Sequence, residues 1–360
     1  MCNVTMLFAQ IPVLDTRATG SKRYTDRMKP FTPVKAPAQA PAMAPANARI
    51  GTSAWYDSQY NNRVLVPEFP HYLERWGRAS ADAIAKAQAH GSLDRDVAYG
   101  TAPSSKLDIF KPVGQAKKSG AGAPVLVFLH GGYWRSLDKA DFSFVAPHFT
   151  RAGAVVAIPN YALCPGVPEG SVTVPDIALQ TAHCLLWLYR NIAQWGGDPD
   201  RITLVGHSAG GHLAAMLAVC RWQDFAKDMG YTVRGHLLKN VLSMSGLHEL
   251  ESIRQTPYLQ SSLHLSEHDA LRCSPAWMPA PQPLWQPPNK GRGELYTVCG
   301  GDESAEFQRQ MKLLRKRWGQ PAVPVCEAVP GRNHFSVLDA MLEAHHRLNM
   351  LVLGMLGLKF

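Results

Sequence analysis

The sequence predicts an α/β protein in which helices cover both faces of a doubly wound, mostly parallel sheet. Three observations support this prediction. Apolar runs of strand length alternate with helical patterns along most of the chain. Residues 125–129 and 155–159 are almost entirely apolar, as expected of strands that are buried on both faces. With 360 residues, the chain is long enough for one large domain with a full core.

Residues 1–50 are predicted to be a disordered leader outside the fold. The segment ends in PVKAPAQAPAMAPANAR, a Pro/Ala repeat that cannot bury an apolar face. The formal net charge of +9 suggests nucleic acid at first, but this leader carries seven basic and two acidic side chains, a net +5. The remaining excess is thinly spread, so the sequence predicts no nucleic-acid partner.

Residues 51–360 are predicted to form the folded domain, and strand and helix patterns follow one another along it. An antiparallel start of the sheet is predicted from two short strands that a Pro/Ser turn separates. Thr173 and Asp176 are spaced as a capping box at the start of a long helix, with Pro175 in its first turn. The predicted strands are 96–99, 107–110, 125–129, 155–159, 202–205, 241–244, 295–299 and 323–329, and the main helices are 72–89, 141–152, 174–195, 305–318 and 336–358.

Residues 247–293 interrupt this alternation. The segment is long, rich in Pro and aromatic residues, and has no clear period. A connection of this length is typically a lid or a substrate-binding insertion, and either interpretation fits the sequence.

The segment around Ser208 has the pattern of a nucleophile turn. An apolar strand leads into Gly206-His207-Ser208-Ala209-Gly210, and an apolar helix follows. In such a strand–turn–helix unit the small flanking residues permit close packing, and the serine is held in a strained conformation that projects its hydroxyl. We therefore interpret Ser208 as a nucleophile.

A serine nucleophile needs a base, and the base needs an acid that orients it. His334 follows the last predicted strand, so it reaches the same edge of the sheet as Ser208. Asp302 and Glu303 stand side by side after an earlier strand, and either satisfies the chain order Ser, acid, His. Spacing alone leaves both open.

Backbone donors for an oxyanion are predicted beside the serine. The Ala209 N–H follows the nucleophile, and Gly131, Gly132 or Tyr133 supply N–H groups in the loop after strand 125–129. Tyr133 and Trp134 are predicted to line an aromatic substrate pocket, although packing of the loop is the alternative.

Other features of the sequence bear on its cofactors, its binding partners and its cellular location. Seven scattered cysteines without a C-x-x-C pair suit reduced thiols in the cytoplasm better than a disulfide framework or a zinc site. No motif with metal-ligand spacing is present, and we predict no metal and no cofactor. No apolar run approaches membrane-spanning length, so no membrane partner is predicted. A homodimer is compatible with the sequence.

Several phrases together carry a family resemblance. HGGYW, GGDPDRITLVGHSAGG and NHF resemble the α/β-hydrolase superfamily, and HGGYW in particular resembles the arylformamidase (kynurenine formamidase) group. Further similar phrases are YDSQYNNR, VAYGTAPSSKLDIFKP, LHLSEHDALRCSP and ESAEFQRQ. In that family the acid precedes Ser-x-Glu-Phe-x-Arg-Gln, so the resemblance implies Glu303 as the acid, although family members often carry Asp there.

The resemblance implies hydrolysis of N-formyl-L-kynurenine to kynurenine and formate, without metal or cofactor, by a catalytic domain spanning residues 51–360. The small molecule would be attacked by Ser208, and His334 would protonate the departing aryl amine. The same residues would serve a general carboxylesterase of short acyl or aryl esters, which is the first alternative. A non-catalytic binding protein of the same fold is the second.

Overall fold

The computed structural model describes residues 49–112, 122–281 and 294–359. Nearly all of the predicted leader 1–50, and the end of the predicted insertion 247–293, lie outside the described residues. Both domain boundaries therefore remain predictions.

The described residues contain one sheet of eight strands. The strands are β1 Leu93–Ala98, β2 Lys106–Phe110, β3 Ala123–Leu129, β4 Val155–Pro159, β5 Gly197–His207, β6 Leu238–Met244, β7 Glu294–Gly300 and β8 Val325–Val329. Their order is β1-β2-β4-β3-β5-β6-β7-β8. β2 pairs antiparallel with both of its neighbours, and every other pairing is parallel. The predicted fold class and the antiparallel start of the sheet are confirmed.

Helices join these strands and cover the sheet. In the described ranges they are α1 Ser53–Tyr60, α2 Asn62–Leu65, α3 Phe69–Ala89, α4 Ala146–Arg151, α5 Val174–Asn191, α6 Ala209–Ala218, α7 Trp222–Asp228, α8 Glu251–Arg254, α9 Pro257–Leu263, α10 Glu267–Arg272, α11 Ala305–Trp318, α12 Val337–Leu342 and α13 Arg347–Leu356. The predicted capping box at Thr173 and Asp176 is formed at the start of α5. None of these described helices has both the length and the apolar character needed to cross a bilayer.

The core lies on both faces of the sheet, as the apolar strand patterns predict. On β3, Val125 and Val127 belong to one hydrophobic cluster, and Leu126 and Phe128 belong to a second cluster on the opposite face. All four side chains are fully buried. Each such burial contributes roughly 1.5–3 kcal/mol to folding, so helices on both faces are needed to cover this strand.

Three of the predicted helices are divided in the structure. The predicted helix 174–195 is α5 followed by a 3₁₀-helix, Ile192–Trp195. Residues 139–145 form a 3₁₀-helix, and α4 begins only at Ala146, because Pro147 has no N–H to continue a helix through that point. The predicted helix 336–358 is α12 followed by α13. Between them His345 has φ 64°, and the His346 ring accepts the Leu348 N–H as a cap of the second helix.

The described part of the insertion is a packed, helical segment. α8, α9 and α10 contain four to seven residues each, which is too short to give the sequence a recognisable helical period. Leu250, Ile253 and Leu259 are fully buried in the same cluster as Val125. A lid or binding role for this insertion stays a prediction.

The sheet topology gathers the loops that carry the predicted functional residues. β3, β5, β7 and β8 run in the same direction, so their carboxyl ends share one edge of the sheet. The residues that follow these four ends include Gly131, Ser208, Glu303 and His334.

Candidate active site

Ser208 occupies a sharp turn between β5 and α6. Its backbone has φ 58° and ψ −118°, a positive φ that a non-glycine residue adopts only under constraint, at a cost of about 1–3 kcal/mol. The constraint is close packing. A Cβ on Gly206 would lie 2.0 Å from the Gly210 carbonyl oxygen, and one on Gly210 would lie 2.1 Å from the Leu129 oxygen. Glycine at these two positions therefore allows the strained turn.

His334 meets Ser208 through its Nε2 atom. The Ser208 hydroxyl donates to that nitrogen across 3.0 Å, although 126 positions separate the two residues. The His334 backbone is also held, because the neutral ring of His207 donates from Nε2 to its carbonyl at 2.8 Å. Burial and the neighbouring His334 hold the pKa of His207 well below its usual range. His207 therefore supports the loop of the candidate base.

Glu303, and not Asp302, lies against His334. His334 Nδ1 donates to Glu303 Oε2 at 2.7 Å, and the Glu303 side chain is fully buried. The other carboxylate oxygen accepts from the Ser245 hydroxyl and from the Gly300 N–H at 2.6 Å. Asp302 is exposed, and its backbone N–H donates to the Arg332 carbonyl. The fold therefore brings Glu303, and not Asp302, to His334.

The bend after β3 lies directly beside the serine. A Cβ on Gly131 would stand 2.9 Å from Ser208 Cβ, and Gly132 has φ 108°, a conformation that favours glycine. His130 stacks between Tyr161 and Phe142 and contacts the Gly131 carbonyl oxygen through Nδ1 at 2.8 Å, which fixes the bend. Ala209 is the first residue of α6, where N–H groups have no acceptor within the helix.

Tyr133 and Trp134 have different surroundings. The half-buried Tyr133 donates its hydroxyl to the Tyr60 carbonyl at 2.6 Å. Trp134 is fully buried and packs edge-on against His212, with ring centroids 4.9 Å apart. Of the two predicted pocket residues, the structure therefore places Trp134 in the packing beneath the bend.

The sequence prediction missed a polar cluster centred on Tyr60. The Tyr60 hydroxyl donates a hydrogen bond to Glu306 Oε2 and accepts one from Gln310 Nε2, both at 2.9 Å. Its ring packs edge-on against Phe307, whose ring centroid lies 4.5 Å from that of His334. Two of the similar segments contain its members: YDSQYNNR includes Tyr60, and ESAEFQRQ includes Glu306, Phe307 and Gln310.

Several other histidines near the turn are buried and neutral. Burial lowers the pKa of His130 to about 4, of His212 to about 3 and of His248 to about 4. His212 Nε2 is bonded to the Cys273 carbonyl and His248 Nδ1 to the Gln310 carbonyl. These rings support the packing around α6. Across the described ranges, no three His, Cys, Asp or Glu side chains are grouped to hold a metal ion.

Comparison with known proteins gives one family match and several relatives. The BD-FAE family model matches residues 107–275. A kynurenine formamidase of Danio rerio is 28% identical over 81% of this chain and 95% of its own length. An Arabidopsis thaliana protein named probable isoprenylcysteine alpha-carbonyl methylesterase ICMEL1 is 34% identical over 35% of this chain and 24% of its own length.

Solved structures show the same fold. The structure of a Silicibacter sp. protein matches with a TM-score of 0.64 at 24% sequence identity, covering 82% of this chain and 98% of the other. At that identity the match supports the architecture of the sheet and its helices.

Proposed function

We propose that this chain, a hydrolase of the α/β-hydrolase fold that resembles kynurenine formamidase, cleaves N-formyl-L-kynurenine to kynurenine and formate. One observation carries the proposal: the Ser208 hydroxyl lies 3.0 Å from His334 Nε2, and His334 Nδ1 lies 2.7 Å from Glu303. This is the arrangement that base-activated acyl transfer requires.

In the first half of the proposed reaction, Ser208 Oγ attacks the formyl carbon while its proton passes to His334 Nε2. The Glu303 carboxylate stabilises the imidazolium that forms. Negative charge develops on the former carbonyl oxygen, for which the Ala209, Gly131 and Gly132 amides are the proposed donors. The tetrahedral intermediate then breaks its C–N bond, and His334 returns the proton to the leaving aryl amine.

In the second half, a water molecule gives its proton to His334 and attacks the formyl ester on Ser208. The second tetrahedral intermediate releases formic acid, which loses its proton to solvent and becomes formate, while the proton on His334 returns to Ser208 Oγ. Each of these protons passes through His334, from Ser208 Oγ to the amine nitrogen in the first half and from water to Ser208 Oγ in the second, so the steps balance with the groups named here.

The formamide specificity rests on two supports. A kynurenine formamidase is 28% identical over 81% of this chain. A formyl group carries only hydrogen on its carbonyl carbon, so it needs little room beside Ser208, which is 1% exposed. We also propose a cytoplasmic location, which rests on the cysteine pattern.

The test compares purified enzyme with its Ser208→Ala variant on N-formyl-L-kynurenine. We expect the substitution to lower kcat by roughly 10⁴- to 10⁶-fold, because no other group replaces the nucleophile. Labelling by a fluorophosphonate probe should also disappear. Unchanged turnover in the variant would refute the acyl-enzyme route, and absence of turnover in both proteins would refute the substrate.

Ester hydrolysis is the second candidate, because a methylesterase is 34% identical over 35% of this chain. The wild-type enzyme should therefore also be measured on p-nitrophenyl acetate. A kcat/KM far higher on the ester than on N-formyl-L-kynurenine would favour this candidate over the formamidase.

A further inference from the structure

Arg135 lies immediately beyond the bend that flanks Ser208. Its backbone N–H donates to the Gly132 carbonyl at 3.1 Å, which closes a tight turn and keeps the two Cα atoms within about 7 Å of each other. Gly131, the neighbour of Gly132, is packed against Ser208. The backbone of Arg135 therefore lies only four positions along the chain from the glycine that packs against Ser208.

The guanidinium is held in place through one nitrogen only. Nη1 donates to the Tyr258 carbonyl at 2.8 Å and to the Ser262 hydroxyl at 2.9 Å. The guanidinium carbon also lies 5.2 Å from the centroid of the Tyr258 ring, a cation–π contact. In the described parts of the chain, Nε and Nη2 have no acceptor. That free edge is one of the two that bind a carboxylate through paired hydrogen bonds.

No carboxylate neutralises Arg135 among the described residues. Two other partly buried arginines have such a partner, Arg309 with Glu306 at 2.8 Å and Arg272 with Asp269 at 2.7 Å, whereas Arg201 and Arg315 donate to backbone carbonyls. Asp57, the carboxylate that faces Tyr258, accepts the Tyr258 N–H at 3.4 Å and forms no ion pair with Arg135. Burial lowers the pKa of the Arg135 guanidinium, whereas the neighbouring Tyr258 raises it and Arg63 lowers it.

We propose that the Nε–Nη2 edge of Arg135 binds a carboxylate of the substrate, so that the preferred class is aryl formamides whose side chain bears a carboxylate. The inference rests on the proposed function and specifies which end of the substrate the bend recognises. A pre-positioned and partly buried guanidinium loses little solvation or side-chain entropy when such an anion binds.

The test crosses two substrates with enzyme variants. N-formyl-L-kynurenine carries the carboxylate, and 2-formamidoacetophenone has the same aryl formamide and ketone without it. We expect Arg135→Gln to lower kcat/KM on the first by about 10- to 100-fold more than on the second, mainly through KM, as expected for loss of hydrogen bonds to a charged group. Arg135→Lys keeps the positive charge but lacks the paired donors, so its loss of kcat/KM on N-formyl-L-kynurenine should be smaller than that of Arg135→Gln.

Two control variants distinguish binding of the substrate carboxylate by Arg135 from a purely structural role of Arg135 in holding α9. Ser262→Ala removes an anchor of the arginine, and Arg63→Gln removes a neighbouring positive charge; both should change the substrate ratio much less than Arg135→Gln does. An equal loss on both substrates would overturn the proposal, because it would mean that Arg135 only holds the insertion against the bend.

Calorimetric binding of L-kynurenine and 2-aminoacetophenone distinguishes failure of the subsite from failure of the proposed function. Tighter binding of kynurenine to wild type, lost in Arg135→Gln, would support the carboxylate subsite even if neither formamide were hydrolysed. Equal binding of the two amines would overturn it even if both formamides were hydrolysed.

Discussion

Glu303 and Asp302 are adjacent in the chain but have opposite environments. The Glu303 side chain is fully buried and bonded to His334, Ser245 and the Gly300 N–H, whereas Asp302 is exposed. Residue type and chain order treat both carboxylates alike. The resemblance implied Glu303 through the phrase that follows it, and the loop conformation after β7 accounts for the difference in contacts.

The first prediction compares matched substitutions at these two positions. Glu303→Gln should lower kcat by about 10³- to 10⁴-fold, because a neutral amide no longer stabilises the imidazolium or fixes its tautomer. Asp302→Asn makes the same chemical change on the surface and should leave kcat nearly unchanged. Steady-state kinetics on N-formyl-L-kynurenine provides the measurement, and a larger loss for Asp302→Asn would reverse the assignment of the acid.

At the scale of elements, α1 connects the two sides of the candidate site. Its last residue is Tyr60. The Tyr60 carbonyl oxygen accepts hydrogen bonds from the hydroxyl groups of Tyr133 in the bend and Tyr258 in α9. Its ring contacts Phe307 of α11, which packs against His334. α1 thereby links the proposed oxyanion bend to the proposed base.

The second prediction concerns Tyr60→Phe. The substitution removes the hydroxyl that bonds the buried Glu306, Ser252 and Gln310, so we expect a loss of about 1–3 kcal/mol in the free energy of unfolding. We also expect a lower kcat, since Glu306 and Gln310 lose bonds that help to hold α11, the helix that carries Phe307 against His334. Urea unfolding and steady-state kinetics measure the two effects.

Tyr56→Phe is the matched control for this prediction. Tyr56 lies one turn earlier on α1 and stacks on Tyr60, but its hydroxyl has no hydrogen bond to the described residues. Its loss should change neither stability nor kcat appreciably. If both variants behaved alike, the hydrogen bonds of Tyr60 would not be the cause.

At the scale of the whole molecule, several histidines of the described residues are buried and neutral. His130, His212 and His248 are fully buried, and burial lowers their pKa values to about 4, 3 and 4. In the unfolded chain each would titrate near pH 6.5. Between about pH 6.5 and 4 the unfolded state therefore binds more protons than the folded state does. The stability is fully present above pH 6.5 and is lost as the pH falls through this window.

The third prediction concerns this loss of stability at low pH. The free energy of unfolding should fall as the pH is lowered from 7 to 5, by at most about 1.4 kcal/mol per pH unit for each of the three histidines, and the midpoint of urea unfolding should fall with it. His268→Gln removes a histidine whose side chain is 72% exposed, and it should leave this pH dependence unchanged. A midpoint that is equal or higher at pH 5 would contradict the argument.

The sequence by itself determined the features that depend on neighbouring residues. Apolar runs marked the strands, Thr173 and Asp176 marked a helix start, and the small residues around Ser208 marked the sharp turn. Each of these signals lies within a few positions, where sterics and hydrogen bonding between near neighbours decide the local conformation.

Only the tertiary structure decided the relations between distant segments. It separated Glu303 from Asp302, buried Trp134 beneath the bend, joined Tyr60 to Glu306 and left one edge of Arg135 without a partner among the described residues. These outcomes depend on which surfaces pack together across the sheet. Local periodicity carries no information about such contacts, because their partners lie tens or hundreds of positions apart.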